Sequence, residues 1–163
     1  MEQQNITIKY HSGIFTLQAE KNLPITIEQA WDFFSKPENL AKITPDKMGF
    51  DITSEKPDRM YAGQIISYKI SIFPFFKSNW VTEITQVKEK AFFIDKQLFG
   101  PYSLWHHEHH FSKIPGGVRM KDKVSYKIPL GFAGRLVHRL FIRKKLMEIF
   151  THRNEVVEKE LVK

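Results

Sequence analysis

From Gly49 to Ile128 apolar and polar residues alternate in strand-length stretches, and beyond Pro129 and Gly131 the spacing becomes that of a long helix. The alternating stretches are 50–54, 64–72, 79–87, 92–99, 104–114 and 118–128. Between them 56–58, 73–77, 88–90, Gly100 with Pro101, and 115–117 read as turns. Breaks this short join antiparallel neighbours, so the pattern predicts a meandering antiparallel sheet rather than a parallel one. Upstream, 6–10 and 14–23 read as two further strands around His11, Ser12 and Gly13. Pro24 stops the second. Thr26 then caps a short helix with Glu28 and Gln29 in its first turn, carrying Ala30, Trp31, Phe33 and Phe34. Ser35 and Pro37 open a second short helical piece, 38–43, which Thr44 and Pro45 close.

An antiparallel sheet with one wet face must bury the other, and the C-terminal helix is the element large enough to cover it. The expected class is α+β: a curved sheet of about six to seven strands wrapped around that helix, with two short helices after the first long strand. At 100° per residue, Phe132, Leu136, Leu140, Met147, Phe150, Val157 and Leu161 form one stripe, predicted to be the core face. Arg143 falls inside the stripe, either as a snorkelling side chain at the sheet edge or as an anchor for an anionic group.

Composition narrows the function classes. The 163 residues are read as one domain, 1–163, and 42% hydrophobic with 26% charged residues excludes a disordered or low-complexity chain. Fourteen Phe suggest a ring-lined core or cavity, and the absence of Cys excludes disulfides and thiolate-bound zinc. The N-terminus has neither the basic start nor the apolar run of a signal peptide, so a cytoplasmic location is expected. No phosphate-loop, dinucleotide or nucleophile-elbow motif occurs. The net charge of +7 is concentrated between Arg135 and Arg153, where six basic residues stand against Glu148. Without interleaved aromatics this is no nucleic-acid surface; it is a solvated face, or one that touches an anionic membrane weakly or meets a partner.

The string Trp105, His106, His107, Glu108, His109, His110, Phe111 carries the clearest chemistry. Strand alternation puts Trp105, His107, His109 and Phe111 on one face, marked as inward by its aromatics, and His106, Glu108 and His110 on the other. On the next strand Val118, Met120, Asp122, Val124, Tyr126 and Ile128 share a face, and the 115–117 turn brings Asp122 beside His109 or Phe111. Two histidines and a carboxylate are the donor set of a non-haem iron or zinc triad and of a general acid/base pair. Paired with one another they make a satisfied polar patch, the commoner arrangement, and no metal or other cofactor is expected. The outward histidine-rich face would bind nickel or zinc adventitiously. Phe73, Pro74, Phe75 and Phe76 form an apolar turn that plugs one end of the core, gates a cavity or touches a membrane.

The element order, together with LPITIEQAWDFFSKPENLAKITP, FIDKQLFGPYSLWHHEHHF, DKVSYKIPLG and the helix ending IFTHR, resembles the START-like superfamily of helix-grip proteins. That superfamily includes the birch pollen allergen, the polyketide cyclase and dehydrase-like proteins and the bacterial SRPBCC ligand-binding proteins. The resemblance implies a helix-grip fold with a hydrophobic cavity between sheet and long helix. The expected partner is a small hydrophobic molecule, such as a lipid, polyketide or isoprenoid. Its expected contacts are Tyr68, Trp80, Phe93, Trp105, His107, His109, Phe111, Asp122, Tyr126, Leu140, Arg143 and Met147. The alternatives are a metal-free cyclase or dehydratase in which His107, His109, Asp122 or Tyr126 moves protons, and a membrane-associated adaptor.

Overall fold

The protein, in a computed structural model describing residues 5–55, 58–73 and 76–162, builds one antiparallel sheet and lays its helices across it. Strands β1 (Asn5–His11) and β2 (Ile14–Leu23) form the first hairpin. Two short helices follow, α1 (Ile27–Phe34) and α2 (Asn39–Lys42). Then come β3 (Asp51–Ile52), β4 (Gln64–Phe73), β5 (Phe76–Lys88), β6 (Phe92–Phe99), β7 (Leu104–Ile114) and β8 (Gly117–Lys127). The spatial order is β1-β2-β8-β7-β6-β5-β4-β3, so the last strand returns to pair with β2 and the meander runs outward from it. The sheet has eight strands rather than six or seven, since the two-residue β3 still pairs with β4 at the edge. Pro74 and Phe75, the centre of the apolar turn, lie outside the described residues, as do the side chains of Phe73 and Phe76.

The N-terminus of α1 is a capping box: the Gln29 amide donates to Thr26 Oγ1 at 3.2 Å and the Thr26 amide to Gln29 Oε1 at 2.8 Å. Its apolar side, Ala30, Trp31, Phe33 and Phe34, is buried, with Trp31 edge-on to both Phe93 and Phe111. This closes one end of the sheet's concave face.

The C-terminal helix departs from the predicted stripe. It consists of α3 (Gly131–Val137), a π-helical turn (His138–Ile142) and α4 (Arg143–Leu161). Phe150 and Val157 are in the core as expected, but Phe132, Leu136 and Leu140 are 75%, 50% and 58% exposed. The cause is the wider turn: a π segment inserts a residue into the helical repeat, so positions before it lose phase with those after it by about 100°. His138 and Ile142 turn inward in place of Leu136 and Leu140, and Arg143 is turned out to the surface, its Nη1 reaching the Ile8 carbonyl at 3.4 Å. Among the described residues no helix is long and apolar enough to cross a membrane.

Candidate functional site

Along the inner face of β7 the side chains run Trp105, His107, His109, Phe111, all buried. Trp105 belongs to an apolar cluster with Tyr68, Trp80 and Phe150, and Phe111 to a second cluster with Trp31, Phe34 and Phe93. The two histidines sit between them. Strand register supplies their carboxylates from both sides: Asp95 of β6 lies opposite His107, and Asp122 of β8 lies opposite His109. Directly opposed residues share a face, so all four side chains converge. Arg153 reaches them from α4 and is 5% exposed.

Asp122 is the buried hub, 1% exposed. Its Oδ1 lies 3.0 Å from His107 Nε2, 2.9 Å from His109 Nδ1 and 3.1 Å from Arg153 Nη2. Arg153 Nη2 is also 3.1 Å from His109 Nδ1. Carboxylate oxygens and an unprotonated imidazole nitrogen only accept, so Arg153 donates to His109 Nδ1 and the His109 proton sits on Nε2, donated to Asp95 Oδ2 at 3.0 Å. The same rule puts a proton on His107 Nε2. His107 thus gives its proton to Asp122 and His109 gives its proton to Asp95, while the unprotonated His107 Nδ1 lies 3.6 Å from Asp95 Oδ2.

Burial raises the cost of each charge here, and partners decide the outcome. Burial alone would push the Asp122 carboxyl up, but the Arg153 charge and the histidine hydrogen bonds hold it well below its ordinary 3.8. Asp95 is likewise lowered, burial being outweighed by the His109 hydrogen bond and the surrounding positive groups. His107 goes down to about 4, first by burial and then by the neighbouring His109, against the pull of both carboxylates. It is thus a neutral imidazole at pH 7. The Arg153 guanidinium also lies 5.1 Å from the Phe34 ring centre, and His109 stacks on Phe93 at 4.0 Å.

This cluster forms one wall of a cavity of about 160 Å³ between the sheet, α2 and α4. Of the expected contacts, Tyr68, Trp80, Phe93, Trp105, His107 and His109 line it. Six others are placed elsewhere. Phe111 packs under α1, and Asp122 lies behind the histidines. Tyr126 spends its hydroxyl on His138 Nε2 at 2.8 Å. Leu140 and Arg143 are turned to the surface, and Met147 stops short of the cavity on the flank of α4. The π turn accounts for Leu140 and Arg143. Asp95, Tyr102, Ile66, Leu146, Phe150 and Arg153 line the cavity and were not expected. Asp95 could have been found, since the FIDKQ strand alternates with Phe93 and Asp95 on one face, whereas Arg153 required the helix phase. Two buried donors on lining residues, Trp80 Nε1 and Arg153 Nε, have no hydrogen-bond partner among the described residues.

No family model and no curated protein matches the chain. Solved structures do match in shape. Protein Ms6760 from Mycobacterium smegmatis superposes with a TM-score of 0.67 at 15% identity, over 95% of this chain and 99% of that one. Ginseng major latex-like protein 151 from Panax ginseng gives 0.68 at 11% identity, over 93% and 100%. Ara h 8.0201, a Bet v 1 allergen, gives 0.57 at 14% identity, over 90% and 99%. The chain therefore has the helix-grip fold of the Bet v 1 and SRPBCC proteins.

Proposed function

We propose that the protein binds one small, mostly apolar molecule in the cavity, with a hydrogen-bond acceptor of that molecule turned to the polar wall. The observation that carries this is the composition of the wall: rings and aliphatic side chains all round, Asp95, His107, His109 and Arg153 on one side, and unpartnered Trp80 Nε1 and Arg153 Nε. Buried donors cost about 1–3 kcal/mol each when unpaired, and an acceptor oxygen on the guest relieves that cost. Volume sets the size class. A cavity of 160 Å³ matches the ~150 Å³ that holds a benzene-sized guest and falls below the ~300 Å³ at which drug-sized pockets begin. This favours a single-ring or short-chain guest over a full lipid.

Native mass spectrometry of protein purified without added ligand, followed by titration with small aromatic carboxylates and ketones under Trp80 and Trp105 fluorescence, tests the reading. Retention of a discrete small molecule, or saturable quenching at one site, supports it. A bare mass together with no response to any guest of that size would overturn it.

A second reading has its own observation. Leu130, Phe132, Leu136, Leu140 and Phe141 are exposed, and no acidic residue occurs between Asp122 and Glu148, while Arg135, Arg139, Arg143, Lys144 and Lys145 do. An exposed apolar and wholly basic segment suits the surface of an anionic bilayer. Sedimentation with phosphatidylserine vesicles at low salt, abolished by Phe132→Ser with Phe141→Ser and absent with phosphatidylcholine alone, is the expected result. Equal sedimentation of the double variant would dispose of it.

A further inference from the structure

We infer that Asp95, His107 and His109 form a site for a divalent first-row transition ion, zinc or iron(II) in class, opening on the cavity. The argument starts from the donor set. His107 Nδ1, His109 Nε2 and Asp95 Oδ2 converge; His107 Nδ1 is unprotonated because Nε2 donates to Asp122, and His109 Nε2, which donates to Asp95, can release its proton to an incoming cation because Asp122 Oδ1 lies 2.9 Å from Nδ1 and accepts from the other tautomer. The His109 proton satisfies one edge of this triangle and leaves His107 Nδ1, 3.6 Å from Asp95 Oδ2, facing a carboxylate lone pair. A cation at the centre satisfies all three.

The spacing agrees. Two donors bound at about 2.1 Å to one ion, with roughly 90–110° between them, lie about 3.0–3.4 Å apart. The two measured edges are 3.0 and 3.6 Å, and the three donor atoms all lie within 4.8 Å of one another. Small rotations of χ1 and χ2 bring them to the ion. The shell behind them is in place: one carboxylate oxygen, Asp122 Oδ1, lies within 3.0 Å of the outer nitrogen of each ligand, and a carboxylate so placed fixes tautomer and ring orientation at histidine metal sites. Arg153 balances the charge of that carboxylate from the far side. Two histidines and one carboxylate leave coordination positions open, and these face the space assigned to the guest. Nothing here depends on the identity of that guest. The sequence placed Asp122 as the carboxylate of such a triad; the register makes Asp122 the support and Asp95 the ligand.

The experiment uses the metal alone. Protein stripped with a chelator is titrated with Co²⁺ and Zn²⁺ against a chromogenic competitor, in parallel with Asp95→Asn and with the outer-face control His106→Ala with His110→Ala. One equivalent bound by the wild type and by the outer-face control, with Co²⁺ visible bands in both and affinity lowered at least about 100-fold by Asp95→Asn, is expected. Loss of binding in the outer-face control, or absence of the Co²⁺ bands in wild type, would overturn the site. These two readouts need no cavity substitution, so they hold even if Asp95→Asn does not fold. A failed titration leaves the mass and fluorescence tests of guest binding untouched.

Discussion

Replacing Asp122 by Asn keeps the shape of the side chain and removes its charge, and the consequence can be worked from its three partners. Arg153 remains ionised under all ordinary conditions, and its Nη2 faces the lost carboxylate from 3.1 Å in a site where both residues are nearly inaccessible. Removing one member of a buried, hydrogen-bonded charge pair costs about 3–5 kcal/mol, chiefly because the other charge is left without a counter-charge. For a chain of this size, at about 2–4 °C per kcal/mol, the variant should melt roughly 6–20 °C below the parent. Urea unfolding at pH 7 with Asp122→Asn, Arg153→Met and the pair gives the coupling. The double variant should cost at least about 2 kcal/mol less than the sum of the singles. Because the folded Asp122 carboxyl lies well below its ordinary value, its contribution is present above pH 3.8 and disappears only as acid carries the solution through the folded value. An Asp122→Asn variant within about 1 kcal/mol of the parent, or strict additivity in the cycle, would show that Arg153 does not depend on this carboxylate and refute the reasoning.

His138, pushed down from 6.5 to about 4 by burial and then by Arg143, is held neutral in the fold. It therefore stabilises fully above pH 6.5 and loses that contribution as pH falls toward 4; His138→Gln should flatten the urea midpoint over this window, with His107 supplying the remaining slope. A Cβ on Gly134 would drive into the Pro129 carbonyl oxygen, so Gly134→Ala should destabilise despite the better helix propensity of alanine, and a raised melting temperature would contradict the tight packing of α3 on that loop. Ile66→Phe, on the cavity wall, should reduce guest uptake at least tenfold while shifting stability by about 1–3 kcal/mol, as read by titration and melting in parallel. Unchanged uptake would place the guest elsewhere.

Period carried most of the fold into view. The strands 92–99 and 104–114 match β6 and β7 residue for residue, and 14–23 matches β2, because each has an apolar side that must be buried and turn residues at both ends. The inward set Trp105, His107, His109 and Phe111 followed from the same alternation, and so did Asp122 beside His109. What alternation could not supply was the partner on the other flank. Pairing of β6 with β7 is a choice of register, and one residue of slip would have sent Asp95 to the outer face. The helix failed for a different reason: 100° per residue presumes an unbroken ladder, and nothing in the residues His138 to Ile142 announces a π turn. Arg153 was invisible as a site residue because its place depends on that phase and on long-range packing against Asp122.

The extra residue in the turn His138–Ile142 also makes this helix sensitive to length in a way its composition is not. Deleting a single position there would restore an even screw, sweeping Phe132, Leu136 and Leu140 under the sheet and lifting His138 away from Tyr126. A change in chain length of one residue would thus exchange a greasy exterior for a wetted one without altering any side chain. Homologous chains of unequal length in this segment should carry correspondingly different residues on the outward side of α3: apolar where the insertion is kept, charged where it is lost.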